Sequence, residues 1–201
     1  MARARARRSF TIAEAILRWI RIEAIRRRRR REENCSDRSI DLLEAVLDRG
    51  MLGHRIHLDR INTRANLMHK HIITSQECPR CQASIEDRSH LFFHCPAAAA
   101  IWSRIAITPN VGSFLDIWSS PLPPNLPASI WNSVALTILW KIWDARNAKV
   151  FRAIDQSPAT TLSNIITDFT LWSHRFKKAE MRVHADLWRD YLSLCNQQNS
   201  S

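Results

Sequence analysis

Glycine is nearly missing: the chain has three glycines in 201 residues. Glycine takes left-handed backbone at no steric cost, so its scarcity argues against a meander of strands joined by tight turns. Helices are the expectation instead. Tyrosine is scarcer still, with one in the chain. No apolar run approaches the roughly 18 residues that cross a bilayer, so no transmembrane segment is expected. The unbroken apolar stretch of a secretory signal is also missing, because Glu14 and Arg18 interrupt the first residues. An intracellular, reducing compartment follows as the expectation, and there clustered cysteines hold metal more often than they pair.

Excess charge of one sign is missing from most of the chain. The formal net charge is +11, but residues 1–31 hold twelve arginines and two glutamates, a net of +10. Residues 32–201 hold eighteen basic and seventeen acidic residues, a net of +1. Long-range attraction for polyanions therefore sits in an arm, residues 1–35, and not in the body. Within that arm Ile12, Ile16, Trp19, Ile20 and Ala24 recur at helical spacing. Its end is the run Arg26, Arg27, Arg28, Arg29, Arg30 and Arg31. Such a run repels itself unless an anionic partner is present. Arginine's planar fork suits phosphate, which makes RNA or DNA the expected partner. A nuclear localisation signal, a membrane-surface segment and a solvated, partly disordered tail fit the same composition.

Chemistry is concentrated elsewhere. Cys78, Cys81, His90 and Cys95 follow the spacing C-x2-C-x8-H-x4-C. Zinc takes thiolate and imidazole ligands in a tetrahedron. The C-x2-C half is a knuckle whose turn aims both sulfurs at one metal. The H-x4-C half suits the first turn of a helix. Four protein ligands leave no position for an activated water, so the expected Zn2+ is structural. His94 is a rival for the fourth position, and His90 is preferred because it leaves the chain room to curl. Other readings compete. A dithiol redox motif belongs near a strand–helix–strand pattern, and none is visible. A zinc deaminase needs H-x-E upstream, which His69 and His71 do not supply. Cysteines can also be buried as small hydrophobes.

The run Cys78, Cys81, Glu86, His90-Leu91-Phe92, Cys95 and Trp102 resembles the zinc-binding domain beside the reverse transcriptase of plant non-LTR (LINE-type) retrotransposons. Asn62-Thr63-Arg64 with Leu67 resembles its approach segment. Trp140-Lys141-Ile142-Trp143-Asp144-Ala145-Arg146-Asn147 with Phe151 resembles its W-x-I-W-x-x-R-N helix. The stretch Gly53 to Leu58 departs from the Lys-, Phe- and Trp-rich lead usual there. The resemblance implies a zinc-binding, non-catalytic module of a mobile-element polyprotein. The residues agree on the second point. A polymerase of that type needs a carboxylate pair for its metal ions, and no Asp-Asp dipeptide occurs. No catalytic residue, and no small-molecule substrate, is expected.

Along the chain, residues 37–48 read as an amphipathic helix with Ile40, Leu43, Val46 and Leu47 on one face. Thr63 to Lys70 reads as a short helix with Leu67 and Met68 inward. A helix is expected from Ala97 to Ala106 with Trp102 and Ile105 on its apolar side, and Pro96 suits its first position. The prolines of residues 119–127 cannot lie inside a helix, which makes this a semi-rigid connector. It marks off a zinc-binding half, residues 36–118, from residues 128–195. Residues 128–151 are apolar on nearly all sides, as in a buried helix. Ser157-Pro158 restarts the chain with a cap and a first-position proline. One helix is then expected to run to about Leu194. Leu162, Ile165, Phe169, Trp172, Phe176, Ala179 and Val183 step by three and four along it, a heptad seam. That seam suits either an antiparallel hairpin or self-association through residues 162–183.

The expected fold class is mainly α: a small zinc knuckle followed by a helical hairpin, with a basic N-terminal helical or disordered arm. The expected function is a non-catalytic zinc-binding module directed to nucleic acid by its arm. An interaction module working through the heptad seam, and an inert remnant of a mobile element, are the alternatives. If the knuckle itself were the nucleic-acid reader, Arg80 and Arg88 beside it would be the first candidates.

Overall fold

The structure is a computed structural model that describes residues 59–110 and 114–198. The arginine run Arg26 to Arg31, the helix expected over 37–48 and all three glycines lie outside the described residues. The described chain is mostly helical and forms no strand. Its helices are α1 (Arg64–His69), α2 (Pro96–Arg104), α3 (Trp131–Arg152), α4 (Pro158–Ser173) and α5 (Ala179–Gln198). A π-helical turn, His90–His94, precedes α2, and 3-10 turns cover Phe114–Ser119 and Ala128–Ile130.

Local chemistry sets the starts. Thr63 caps α1, its hydroxyl accepting from the Asn66 N–H at 3.2 Å. The Asn66 amide reaches back to the carbonyls of Asp59 and Ile61, both at 2.9 Å, which fixes the approach to the helix. Leu67 of α1 is buried with Ile73, and Phe151 of α3 packs on them. Met68, expected to face inward, is 39% exposed. A six-residue helix has room for one buried face only, and Leu67 occupies it. Ser157 caps α4 by accepting from the Thr160 N–H at 3.1 Å, with Pro158 in the first turn as the sequence indicates.

One hydrophobic core takes residues from both sides of the proline-rich segment 119–127, from Ile61 and Phe92 to Trp188 and Cys195. Helix α3 runs through it, burying Trp131, Val134, Ile138, Leu139, Ile142 and Ala145. Tryptophans peg the pieces together by donating to irregular backbone. Trp131 donates to the Ile117 carbonyl at 3.0 Å, and Trp188 to the Pro127 carbonyl at 2.9 Å. Their rings stack on each other with centroids 5.5 Å apart. The tryptophans of α2, α3 and α5 thus serve a core.

The C-terminal region departs from its expected form. The single helix running from Pro158 to about Leu194 is two helices, broken after Ser173 and restarted at Ala179. Helix α5 folds back antiparallel on α4, so that Asn196 near its end donates to Ser163 near the start of α4. Residues 128–195 therefore contain three helices. The heptad seam holds through Leu162, Ile165 and Phe169, all buried, and then fails: Val183 is 59% exposed. Helix α5 buries Ala185, Trp188, Leu192 and Cys195 instead. One cause is visible: folding back lets Trp188 reach the core. Leu162, Ile165 and Phe169 of the seam are thus spent within the chain.

Without glycine at the described turns, other residues carry the left-handed positions. Asp59, His71, Gln82, Ala106, Asn125 and Ala153 all have positive φ. Ala153 closes α3 at φ 56°, its N–H donating to the Ala148 carbonyl. This conformation costs an L-residue about 1–2 kcal/mol, whereas glycine pays about 0.4–1 kcal/mol through the unfolded chain. Ala153→Gly is therefore expected to stabilise by about 0.5–1 kcal/mol, raising the melting temperature by about 1–4 °C. A melting curve shifted downward would contradict the left-handed cap.

Candidate metal centre

The residues from Gln76 to Ala98 build the centre. An isolated antiparallel bridge joins Glu77 and Ile85. Within it, the Cys78 N–H donates to the Ser84 carbonyl at 2.8 Å, and the Gln82 N–H to the Cys78 carbonyl at 2.9 Å. Gln82 takes left-handed backbone at φ 57°, which closes the loop just after Cys81. This is the knuckle that C-x2-C requires. The N–H groups of Arg80 and Cys81 are directed at the Cys78 sulfur, favouring its thiolate.

The second half is not the start of an α-helix, as the H-x4-C spacing was expected to be. His90–His94 is a π-helical turn, in which the Cys95 N–H donates to the His90 carbonyl at 2.7 Å. Geometry gives the reason. With 3.6 residues per α-turn, positions five apart point roughly 140° away from each other. The wider π-turn brings them back to one side. Asp87 holds the turn's start, its carboxylate accepting from the His90 N–H at 2.6 Å. Cys95 is then the N-cap residue of α2, with Pro96 in the first turn. The N–H groups of Ala97 and Ala98 at that helix end favour a thiolate on Cys95.

These two halves bring the side-chain donors of Cys78, Cys81, His90 and Cys95 within 4.8 Å of one another. The Cys78 and Cys95 sulfurs are 3.9 Å apart, and the Cys81 sulfur lies 3.3 Å from His90 Nε2. A zinc tetrahedron with Zn–S bonds of about 2.3 Å spaces its sulfurs about 3.8 Å apart. The donor set therefore fits one Zn2+ in both chemistry and spacing. Cys78, Cys95 and His90 are buried, with His90 at 8% exposure. His94, the rival for the fourth position, is exposed. The hydrogen bond shared by the two sulfurs pushes Cys78 up to about 12 and holds Cys95 down to about 7.

A buried ion pair joins the metal loop to α3. Glu86 is fully buried, and Arg146 of α3 is 2% exposed. Arg146 Nε lies 3.1 and 3.0 Å from the two Glu86 carboxylate oxygens, and its Nη2 donates to Glu86 Oε1 as well. The Arg64 N–H adds a fourth bond to Glu86 Oε1 at 3.0 Å. Asn147 accepts from Arg146 Nη1 at 3.1 Å, and the Trp143 ring lies 5.2 Å from the guanidinium. The Trp143, Arg146 and Asn147 of the quoted helix motif thus form one cradle around the acid of the metal loop. An arginine inside a helix apolar on nearly every side was the signal for such a buried partner.

Arg80, considered above as a reader of nucleic acid, is engaged elsewhere. Its side chain is 5% exposed and pairs with Asp155 at 3.3 Å. It also donates to the Gln156 carbonyl at 2.8 Å. Arg80 ties the knuckle to the link between α3 and α4, and its guanidinium is not offered to solvent. Arg88 is half-buried.

Four convergent donors, three thiols and one imidazole, seated on a helical body, form a cluster that could hold a metal ion, and their chemistry suits zinc. Residues 49–102 match the family model described as zinc-binding in reverse transcriptase. This is the domain family that the cysteine–histidine run resembles. No curated protein and no solved structure matches the chain. Arg146, which anchors the metal loop, lies outside the matched residues.

Two outcomes are expected. His90→Ala should reduce bound zinc from one per chain to none after dialysis, read by elemental analysis, whereas His94→Ala should leave it unchanged. The reverse result would move the fourth ligand to His94. Glu86→Gln should lower stability by about 3–5 kcal/mol in zinc-saturated protein, because it strands the Arg146 charge without its counter-ion. Glu86→Gln with Arg146→Met should recover part of that loss. A denaturation midpoint unmoved by the single change would show that the pair contributes nothing.

Proposed function

We propose that this chain is a non-catalytic module whose fold is fixed by one structural Zn2+ on Cys78, Cys81, His90 and Cys95, and whose arm directs it to RNA or DNA. The donor cluster carries the first half of this reading. Three sulfurs and one imidazole nitrogen converge with spacings that suit zinc, inside a segment that matches a zinc-binding family. Bound Zn2+ supplies cross-linking here and no Lewis-acid step, because four protein donors fill its tetrahedron. The chain's own residues do the rest: the knuckle aims two sulfurs, the π-turn aims His90 and Cys95, and Asp87 holds the turn.

The second half rests on charge. The arginines at 26, 27, 28, 29, 30 and 31 belong to a segment of net +10, against +1 for the rest of the chain. Phosphate contacts of this kind position a protein without reading sequence. The resemblance to a retrotransposon module makes an element's own RNA or DNA a reasonable cargo, and nuclear accumulation a consistent destination.

The test is fluorescence anisotropy of a labelled single-stranded oligonucleotide across a salt series. Replacing Arg26 to Arg31 with alanine in the full chain should weaken binding similarly for every sequence tried. The slope of log affinity against log salt should shrink by about 4, from about 0.7 per phosphate contact on a single strand. Unchanged affinity would sink the arm's role. Weak binding by both proteins, with nuclear accumulation lost only in the variant, would make the run an import signal instead.

A further inference from the structure

The body's near-neutral total hides an uneven distribution. Five basic side chains of the described body form ion pairs with acids of the fold: Arg80 and Lys149 with Asp155, Lys141 with Asp144 and Asp168, Arg146 with Glu86, and Arg189 with Asp186 and Asp190. The turn between α4 and α5 gathers exposed basic residues closely in sequence. Residues 175–182 hold Arg175, Lys177, Lys178 and Arg182 against the single acid Glu180. Arg175, Lys177, Lys178 and Arg182 are all exposed, as is His174. None of the four basic residues forms an ion pair with a described residue.

Helix electrostatics do not account for this cluster. Lys177 and Lys178 immediately precede the N-terminus of α5, where the macrodipole favours negative charge. Glu180 in the first turn of α5 serves that dipole, and the two cations beside it do not. The turn is also built, not loose. Arg182 Nη1 donates to the carbonyls of Phe176 and Lys177 at 2.7 and 3.2 Å, closing the turn from the α5 side. On the α4 side, the Arg175 guanidinium lies over the Trp172 ring, 4.6 Å from its centroid. A guanidinium stacked on one face keeps the other face for a second planar group.

We propose that the α4–α5 turn is a docking surface for single-stranded nucleic acid, with Lys177 and Lys178 on backbone phosphates and the Arg175–Trp172 stack beneath a base. Cationic grooves combined with stacking rings are the common means of holding single strands without sequence preference. An anionic membrane is the other anionic partner to consider. The adjoining exposed apolar residues of α5, Val183 and Leu187, are flanked by Glu180, Asp186 and Asp190. Laying that face on an anionic bilayer would press carboxylates against lipid phosphate, so the nucleic acid is the better fit. This surface belongs to the folded body and is independent of the arm.

The test uses the full chain with Arg26 to Arg31 replaced by alanine as its background, so that the arm cannot mask the effect. On that background, Arg175→Ala with Lys177→Ala and Lys178→Ala is compared with a charge-matched control, Arg60→Ala with Lys70→Ala and Arg152→Ala. The probe is a labelled oligothymidylate, with vesicles containing phosphatidylserine as a second probe. The turn variant should lose on the order of tenfold in oligonucleotide affinity, and its salt slope should shrink by about 1.4, from about 0.7 for each of two phosphate contacts. The control should lose much less. Equal losses in the two variants would overturn the proposal, since net charge would then be responsible. So would an arm-substituted parent that does not bind the oligonucleotide, or one that binds only the vesicles. These outcomes are separate from the arm's own test, which compares the parent chain with its arm-substituted form. Arg182 is left intact because it holds the turn, and matching melting curves certify that the variants are folded.

Discussion

Glu86 and Arg146 are both withdrawn from water, and neither could be there alone. Each buried ion costs several kcal/mol in lost hydration, which only a well-formed partner offsets. The guanidinium of α3 meets both carboxylate oxygens, while the first N–H of α1 takes one of them again. Three parts of the chain, α1, the metal loop and α3, are thereby fixed in one relative position. Apolar contact alone would allow them to slide. The next residue along, Asp87, holds the N–H of His90. The backbone that carries one side chain to the ion pair thus carries its neighbour to the metal donors.

Order in the donor cluster therefore comes from two sources that reinforce each other. Local backbone geometry supplies the knuckle and the π-turn. Long-range anchoring supplies their mutual position, through Arg146 to Glu86 and through Arg80 to the α3–α4 link. Apolar packing finishes the seat. Phe92 is fully buried, and the Trp102 indole donates to its carbonyl at 2.8 Å, which pins the π-turn to the helix that follows. A metal entering this cluster would find its ligands held from behind by the same core that holds the helices.

Much of this was legible in the residues. The spacing of Cys78, Cys81, His90 and Cys95 names the donors because sulfur and imidazole at those intervals have few other uses. The caps at Thr63 and Ser157, and the buried length of α3, follow from local rules. What was not legible depends on contacts far apart in sequence. The break after Ser173 contains neither glycine nor proline, and the heptad seam runs straight across it. The competing pattern of Ala185, Trp188, Leu192 and Cys195 wins because Trp188 can reach Trp131 only if the chain turns back. The π-turn was hidden for a different reason. A five-residue interval reads as part of a helix, and only the demand that His90 and Cys95 face one point reveals the wider winding. Arg80 likewise looked like a surface cation until Asp155 and Gln156 came to meet it.

The π-turn has a consequence for how this chain can change over generations. Its function lies in the number of residues between His90 and Cys95, and much less in their identity. Substitution at His94, which is exposed, leaves that number intact. Deleting or inserting one residue there would restore or overshoot the α-winding and rotate one donor away from the other three. Length variation among descendants of this sequence should thus be shut out of the interval between His90 and Cys95.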